Sequence, residues 1–165
     1  MKTTRMMVLI AGLVGLLIVT GCATSTSAAP TPEGDPAPGT WVDVTISGDV
    51  ATLPFSVVEE HVNTHFSLRA DGRELAFMAY LLNDTLHVRA NACPPCRSRG
   101  FTLVGNVLDC DACHTTFSAI DGSGIAGPCV DYPKEAVSTR IVEGAISMSL
   151  AELVAAYDAT LVAGW

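Results

Sequence analysis

The sequence predicts a mostly β (α+β) domain: a small β-meander, a cysteine-ribbon hairpin and a C-terminal helix. Short runs of alternating apolar and polar residues recur along the chain and are separated by turn dipeptides, which is typical of antiparallel strands. Five cysteines are concentrated in one segment, residues 91–129. The last apolar pattern of the chain instead has the period of a helix.

The first 21 residues have the pattern of a bacterial lipoprotein signal peptide. Lys2 and Arg5 lie beside a 14-residue uncharged apolar run, Met6 to Val19, which is short for a membrane-spanning helix. Small residues then precede Cys22, as in a lipobox, so we expect cleavage before Cys22 and lipid attachment to it. An uncleaved membrane anchor is the alternative. Both interpretations predict a protein at the cell membrane that faces outside the cytoplasm.

Residues 22–40 are predicted to be a lipid-anchored flexible linker, because they are rich in Ala, Thr, Ser, Pro and Gly and have no apolar periodicity. Residues 41–165 are long enough for one domain. Cleavage would remove the two positive charges of Lys2 and Arg5 and take the net charge from −8 to −10. An acidic domain with no basic cluster is a poor candidate for binding nucleic acid.

Strands are predicted in order along the domain. The alternation from Trp41 to Ile46 predicts a half-buried strand. Strands over residues 64–69, 74–82 and 85–90 follow, the second of them an apolar and therefore buried run. Because short turns at Asp71-Gly72 and Asn83-Asp84 join these three strands, they are expected to form a meander.

The C-terminal part is predicted to be a strand followed by a helix. The strand is expected over residues 139–146, and Ser149-Leu150-Ala151-Glu152 then has the pattern of a capping box. The helix that it opens would cover a sheet with the apolar residues that share one face, namely Leu150, Leu153, Val154, Tyr157 and Leu161.

The cysteine segment contains two Cys-x-x-Cys pairs, Cys93–Cys96 and Cys110–Cys113, with 13 residues between them. The apolar residues 101–108, with a turn at Gly105-Asn106, supply a hairpin that can bring the pairs face to face, as in zinc ribbons and rubredoxin-like knuckles. A tetrahedral metal needs four converging ligands. The sequence therefore predicts a metal site formed by these four cysteines.

Several alternatives remain open at the sequence level. Four thiolates suit structural zinc, a single iron or an iron–sulfur cluster, whereas disulfides would leave one of the five thiols over. Cys110-Asp-Ala-Cys113-His114 also matches the attachment pattern of c-type haem. Cys129 is a candidate extra or replacement ligand, or a buried free cysteine. No catalytic motif indicates an enzyme, although thiol exchange through Cys93 and Cys96 is conceivable.

Several motifs from His65 onwards together resemble one known family. They are Thr64-His-Phe-Ser-Leu68, Val88-Arg-Ala-Asn-Ala-Cys-Pro-Pro-Cys96, Gly105-Asn-Val-Leu-Asp-Cys-Asp-Ala-Cys113, Gly127-Pro-Cys129 and Ile141-Val-Glu-Gly-Ala-Ile146. In these motifs the chain is similar to the FtrD-like membrane iron–sulfur proteins, which look like accessory proteins of bacterial iron uptake.

The resemblance implies a cofactor, partners and one further residue. It implies iron or an iron–sulfur cluster, electron transfer or iron handling at the membrane, and an iron permease or membrane redox protein as partner. It also makes His65 a candidate accessory residue. The chain departs from the family in several respects: many relatives have several membrane spans, a small residue is more usual where His114 stands, the Cys93–Cys96 loop is Pro-Pro, and the segment after it is short.

Overall fold

The computed structural model describes residues 33–164, so the predicted signal peptide, Cys22 and most of the predicted linker lie outside the described residues. Strands predominate, which confirms the mostly β prediction. In chain order the elements are β1 (Pro36–Ala37), β2 (Thr40–Val42), β3 (Thr45–Ser47), β4 (Val50–Pro54), α1 (Phe55–His61), β5 (Asn63–Ala70), β6 (Arg73–Leu82), β7 (Thr85–Ala90), β8 (Phe101–Val104), β9 (Val107–Cys110), β10 (Thr116–Ser118), β11 (Gly124–Ala126), β12 (Arg140–Val142), β13 (Ala145–Ser149) and α2 (Leu150–Thr160).

The first sheet has the strand order β2-β5-β6-β7 and contains the predicted meander. Strands β5, β6 and β7 pair antiparallel in succession. Both connecting turns place two successive residues in the left-handed region, with φ of 52° and 73° at Asp71 and Gly72 and 48° and 61° at Asn83 and Asp84. Short Asp and Gly turns of this kind match the twist of a hairpin, which is why the sequence predicted them well.

The second sheet has the strand order β12-β13-β4-β3 and differs from the prediction in two places. The single strand expected from Trp41 to Ile46 is two strands, because the chain leaves the first sheet after Val42 and enters the second at Thr45. The strand expected over residues 139–146 is instead a hairpin that turns at Glu143-Gly144. Helix α1 was not predicted, because only Val58 among its residues is fully buried.

Helix α2 confirms the predicted C-terminal helix and packs against β6, β7 and β13. Leu153 and Ala156 are buried, but Leu161 follows the last helical residue and is exposed, so its predicted place on the buried face is wrong. Ser149 precedes the helix without making a side-chain cap hydrogen bond. Among the described helices, none is long and apolar enough to cross a membrane.

The third sheet has the strand order β1-β8-β9-β10-β11, and the predicted hairpin turning at Gly105-Asn106 is present as β8 and β9. Its edge strand β1 lies within the predicted linker. Asn63 Nδ2 donates a hydrogen bond of 2.9 Å to Ala37 O, and a Cβ added at Gly39 would overlap the His65 ring. The predicted linker end at residue 40 is therefore too late, because composition does not reveal such contacts.

Strand β6 is buried on both faces, as its apolar run predicted. Leu75, Phe77 and Ala79 contribute to a core shared by the first two sheets and α2. Met78 and Tyr80 point to the opposite side and pack in a second cluster, which includes Phe101, Leu108, Phe117 and the buried cysteines. The cysteine segment thus packs against β6, an inner strand of the first sheet.

Candidate metal centre

Both Cys-x-x-Cys pairs lie in tight loops with the same closing contact. Cys93 N donates a hydrogen bond of 2.9 Å to Ser98 O, and Cys110 N donates one of 3.0 Å to Thr115 O. In each loop the amide of the first cysteine thus bonds the carbonyl five residues later. The second loop continues directly from strand β9, so the β8–β9 hairpin sets the distance between the two loops.

The structure brings the four predicted ligand residues together. The Sγ atoms of Cys93, Cys96, Cys110 and Cys113 all lie within 4.8 Å of one another. The distance from Cys96 Sγ to Cys110 Sγ is 3.7 Å, and a tetrahedron of metal–sulfur bonds of about 2.3 Å has an edge of about 3.8 Å. The five cysteines at positions 93–129 are free, so the predicted disulfide alternative has no support in this geometry. The four thiols could hold one metal ion.

Cys129 approaches this quartet from the loop after β11. Its Sγ lies 3.7 Å from Cys113 Sγ, and its backbone N donates a hydrogen bond of 3.2 Å to Thr115 Oγ1. The same hydroxyl lies 3.2 Å from Cys113 Sγ. Thr115, which the sequence analysis did not single out, therefore aligns the fifth thiol with the quartet.

The thiols of Cys93, Cys110 and Cys113 do not ionise equally. Burial raises the pKa of Cys93, and burial also raises that of Cys110 despite the opposing effect of the Ala112 and Cys113 backbone amides. Burial has the same effect on Cys113, but hydrogen bonds from the Thr115 hydroxyl and amide outweigh it and lower the pKa of this thiol to about 6. Cys113 is thus the thiol of these three that becomes a thiolate, the form that binds metal, most readily at neutral pH.

The quartet lies directly below the surface of the domain. The first cysteine of each pair, Cys93 and Cys110, has no exposed area, whereas Cys96 and Cys113 are partly exposed. One edge of a bound centre would therefore face solvent while the opposite edge packs on the second hydrophobic cluster.

The geometry at His114 favours shared ligation over haem attachment. The His114 side chain is 78% exposed and its Nδ1 lies 3.5 Å from Asp109 Oδ1. Cys110, which haem attachment would require, is fully buried beside the sulfur of Cys96. His114 also has a left-handed φ of 54°, matching the 59° of Arg97 after the first pair, which gives a physical reason why a small residue suits position 114.

His65 is buried beside the cysteine segment but does not belong to the group of converging ligands. Its ring meets the Trp41 ring edge-on at 5.3 Å, and its Nε2 has no hydrogen-bond partner in the described structure. Burial lowers the pKa of His65 to about 4, against smaller raising effects of Asp111 and the Phe101 backbone. His65 is therefore neutral at pH 7, and its predicted accessory role stays a prediction.

Two buried cations near the quartet were missed by sequence reasoning. Lys134 has no exposed area, and Arg89 is 4% exposed. Arg89 donates hydrogen bonds to Tyr80 Oη and to the carbonyls of Ile120, Asp121 and Lys134. Arg89 lies within the Val88–Cys96 motif, but its residue type alone indicated no role, and the one available signal for Lys134 was that it is the single lysine after Lys2.

A mostly β domain in which four cysteines converge and a fifth lies beside them is suited to hold a thiolate-bound metal or iron–sulfur centre. A family model described as "Membrane iron-sulfur containing protein FtrD-like" matches residues 58–159. The chain belongs to this FtrD-like family, which confirms the resemblance seen in the motifs. The family description is that of membrane-associated iron–sulfur proteins.

Two solved structures are similar over part of the chain. One is a chain from the complex of reduced oxygenase and oxidized ferredoxin in carbazole 1,9a-dioxygenase, with 20% identity, a TM-score of 0.44, and coverage of 53% of this chain and 81% of that one. The other is the ferredoxin of carbazole 1,9a-dioxygenase from Nocardioides aromaticivorans IC177, with 21% identity, a TM-score of 0.38, and coverage of 53% and 84%. Both TM-scores are below 0.5, so neither structure establishes the fold or the function of this chain. No curated protein matches the chain.

Proposed function

We propose that this protein holds iron, as a single ion or an iron–sulfur cluster, on the thiolates of Cys93, Cys96, Cys110 and Cys113. In this proposed role the centre transfers electrons outside the cytoplasm as an accessory of iron uptake, next to an iron permease or another membrane redox protein. Lipid on Cys22 would keep the domain at the membrane. The observation that carries the proposal is the convergence of four Sγ atoms within 4.8 Å.

The burial of the quartet supports a redox role over a purely structural one. Electron transfer needs a centre close enough to the surface for a partner to approach, and the partly exposed Cys96 and Cys113 provide that edge. The buried Cys93 and Cys110 lie against apolar side chains, which limit the access of water and influence the potential of a centre. Membership of an iron–sulfur family favours iron as the metal.

Structural zinc is the second candidate, because the sulfur spacing of 3.7 Å suits a tetrahedral zinc ion equally well. Elemental analysis separates the two functions. Protein expressed with its own export signal and purified anaerobically should contain iron and absorb visible light. Acid-labile sulfide would then distinguish a cluster from a single iron. Colourless protein with one zinc per chain would refute the redox function, and a Soret band that survives denaturation would refute shared ligation in favour of haem.

Matched cysteine variants test which thiols bind. Cys96→Ser and Cys113→Ser should each lose most of the metal, because each removes one of four ligands. Cys129→Ser is the control, since it removes an equally close thiol that lies outside the quartet. Retention of metal by both quartet variants, together with loss in Cys129→Ser, would contradict the ligand set.

Membrane attachment has its own test. In cells that express the full chain, Cys22→Ser should abolish incorporation of radiolabelled fatty acid, because it removes the predicted attachment site. Equal labelling of this variant and the wild type would contradict the proposed anchor.

A further inference from the structure

Lys134 occupies an unusual position for a lysine. It has no exposed area, and its Nζ donates a hydrogen bond of 2.6 Å to Ala92 O, the carbonyl directly before Cys93. The same ammonium lies 4.4 Å from the ring centroid of Phe117 and 5.3 Å from that of Phe101. Lysine is almost never fully buried unless a partner compensates its charge, so the environment of Lys134 should contain a negative partner.

No carboxylate supplies this partner. Among the described residues, no Asp or Glu is buried, and no ion pair involves Lys134. The aromatic faces of Phe101 and Phe117 attract a cation, but such contacts recover less free energy than the burial of a charge costs.

The groups around Lys134 that can carry a negative charge are the cysteines. Burial lowers the pKa of Lys134 to about 8, while four thiols act in the opposite direction and favour the ammonium form, in decreasing order Cys93, Cys110, Cys129 and Cys96. Three of these four belong to the quartet that we propose as ligands. The ammonium is thus held on the buried side of the quartet, where water does not screen its charge.

The charge of the centre explains what such a cation would do. Four thiolates carry four negative charges, so with a trivalent ion the net charge is −1 and with a divalent ion it is −2. A fixed positive charge nearby therefore stabilises the thiolate set as a whole, and it stabilises the reduced form more than the oxidised form.

We propose that Lys134 is the built-in counterion of the cysteine centre, a positioning residue that tightens metal binding and raises the reduction potential. The inference rests on the proposed function, because it requires a thiolate-bound metal. Arg89 supports this arrangement, since its guanidinium donates a hydrogen bond of 2.8 Å to Lys134 O and so fixes the backbone that carries the lysine.

Four variants test the charge of Lys134 separately from its shape. Lys134→Met removes the charge, Lys134→Gln removes it but keeps an N–H donor, and Lys134→Arg keeps the charge. Arg140→Gln is the control, because it removes one positive charge from an exposed strand of another sheet. All variants are expressed as the full chain, purified anaerobically and checked for native circular dichroism.

The first readout is the midpoint potential from a redox titration followed by visible absorbance. We expect both neutral variants to shift the reduction equilibrium about tenfold toward the oxidised form, which is 59 mV for one electron, while Lys134→Arg and Arg140→Gln shift it less than threefold. A neutral variant that folds and has the same midpoint potential as Arg140→Gln would overturn the inference. Partial unfolding cannot imitate the expected shift, because it lowers the amount of folded protein and does not change the potential of the molecules that stay folded.

The second readout is metal loss to a competing chelator, and it applies whichever metal is bound. The neutral variants should release metal about tenfold more readily than Lys134→Arg. Wild-type protein that contains zinc would refute the redox function but would still test Lys134 through this competition. Wild-type protein without any metal would overturn the proposed function and this inference with it.

Discussion

Arg89 should be one of the residues on which the stability of the cysteine side of the domain depends most. Its guanidinium makes hydrogen bonds of 3.0 Å to Tyr80 Oη, 2.6 Å to Ile120 O, 3.0 Å to Asp121 O and 2.8 Å to Lys134 O. It therefore joins strand β7 to the loop after β10 and to the segment that carries Lys134. Replacement by Met keeps the volume approximately and removes all four donors.

The size of the effect follows from the acceptors that Arg89→Met leaves behind. A buried carbonyl without a partner costs about 1–3 kcal/mol, which applies to Lys134 O, whereas the part-buried carbonyls of Ile120 and Asp121 can recover water and cost about 1 kcal/mol each. Tyr80 Oη keeps its bond of 2.8 Å to Ala119 O. We expect a loss of about 3–5 kcal/mol in the free energy of unfolding, a large part of the 5–15 kcal/mol typical of a domain.

Urea denaturation followed by far-ultraviolet circular dichroism measures this loss, at equal metal content. The matched control is Arg140→Met, because Arg140 is exposed and makes none of these bonds. Arg89→Lys should fall between wild type and Arg89→Met, since an ammonium can satisfy some but not all of the carbonyls. A change below about 1 kcal/mol in Arg89→Met, with an unchanged m-value, would refute the reasoning.

Two further predictions concern the histidines. His114→Gly should leave the metal content unchanged. It should stabilise the domain by up to about 1 kcal/mol, because Gly adopts the φ of 54° without strain. Loss of the visible spectrum in this variant would instead support haem ligation by His114. The pKa of His65 is about 4 in the fold and 6.5 in the unfolded chain, so the unfolded state binds more protons below pH 6.5 and stability falls as the pH falls. Between pH 6.5 and 5 His65 should contribute a loss of about 1.6 kcal/mol, which a His65→Gln variant lacks. Identical pH profiles of the two proteins in urea denaturation would contradict the buried neutral histidine.

The local parts of this fold were predictable from the sequence. The meander of β5, β6 and β7 follows from alternation and from turn residues that tolerate left-handed φ, both of which act over a few neighbouring residues. The convergence of the four cysteines followed from pair spacing and one hairpin turn, Gly105-Asn106.

The parts that the sequence did not predict depend on distant contacts. Strand β1 exists because Pro36 and Ala37 pair with Val104 and Leu103, almost seventy residues away in the chain. Lys134, between β11 and β12, donates a hydrogen bond to the carbonyl directly before Cys93, and one lysine has no periodicity that could show its burial. Thr115 acts through its hydroxyl on both Cys113 and Cys129, which no spacing rule anticipates.

Strand β6 has a consequence for how the domain responds to loss of metal. Its side chains alternate between two hydrophobic cores, with Phe77 on one side and Met78 and Tyr80 on the cysteine side. The two hydrophobic cores therefore have strand β6 in common, and neither can unfold before the other without exposing the apolar side chains of this strand. Chelation should accordingly loosen residues 33–164 in one cooperative transition, so that metal-free protein would be open to proteolysis throughout this domain.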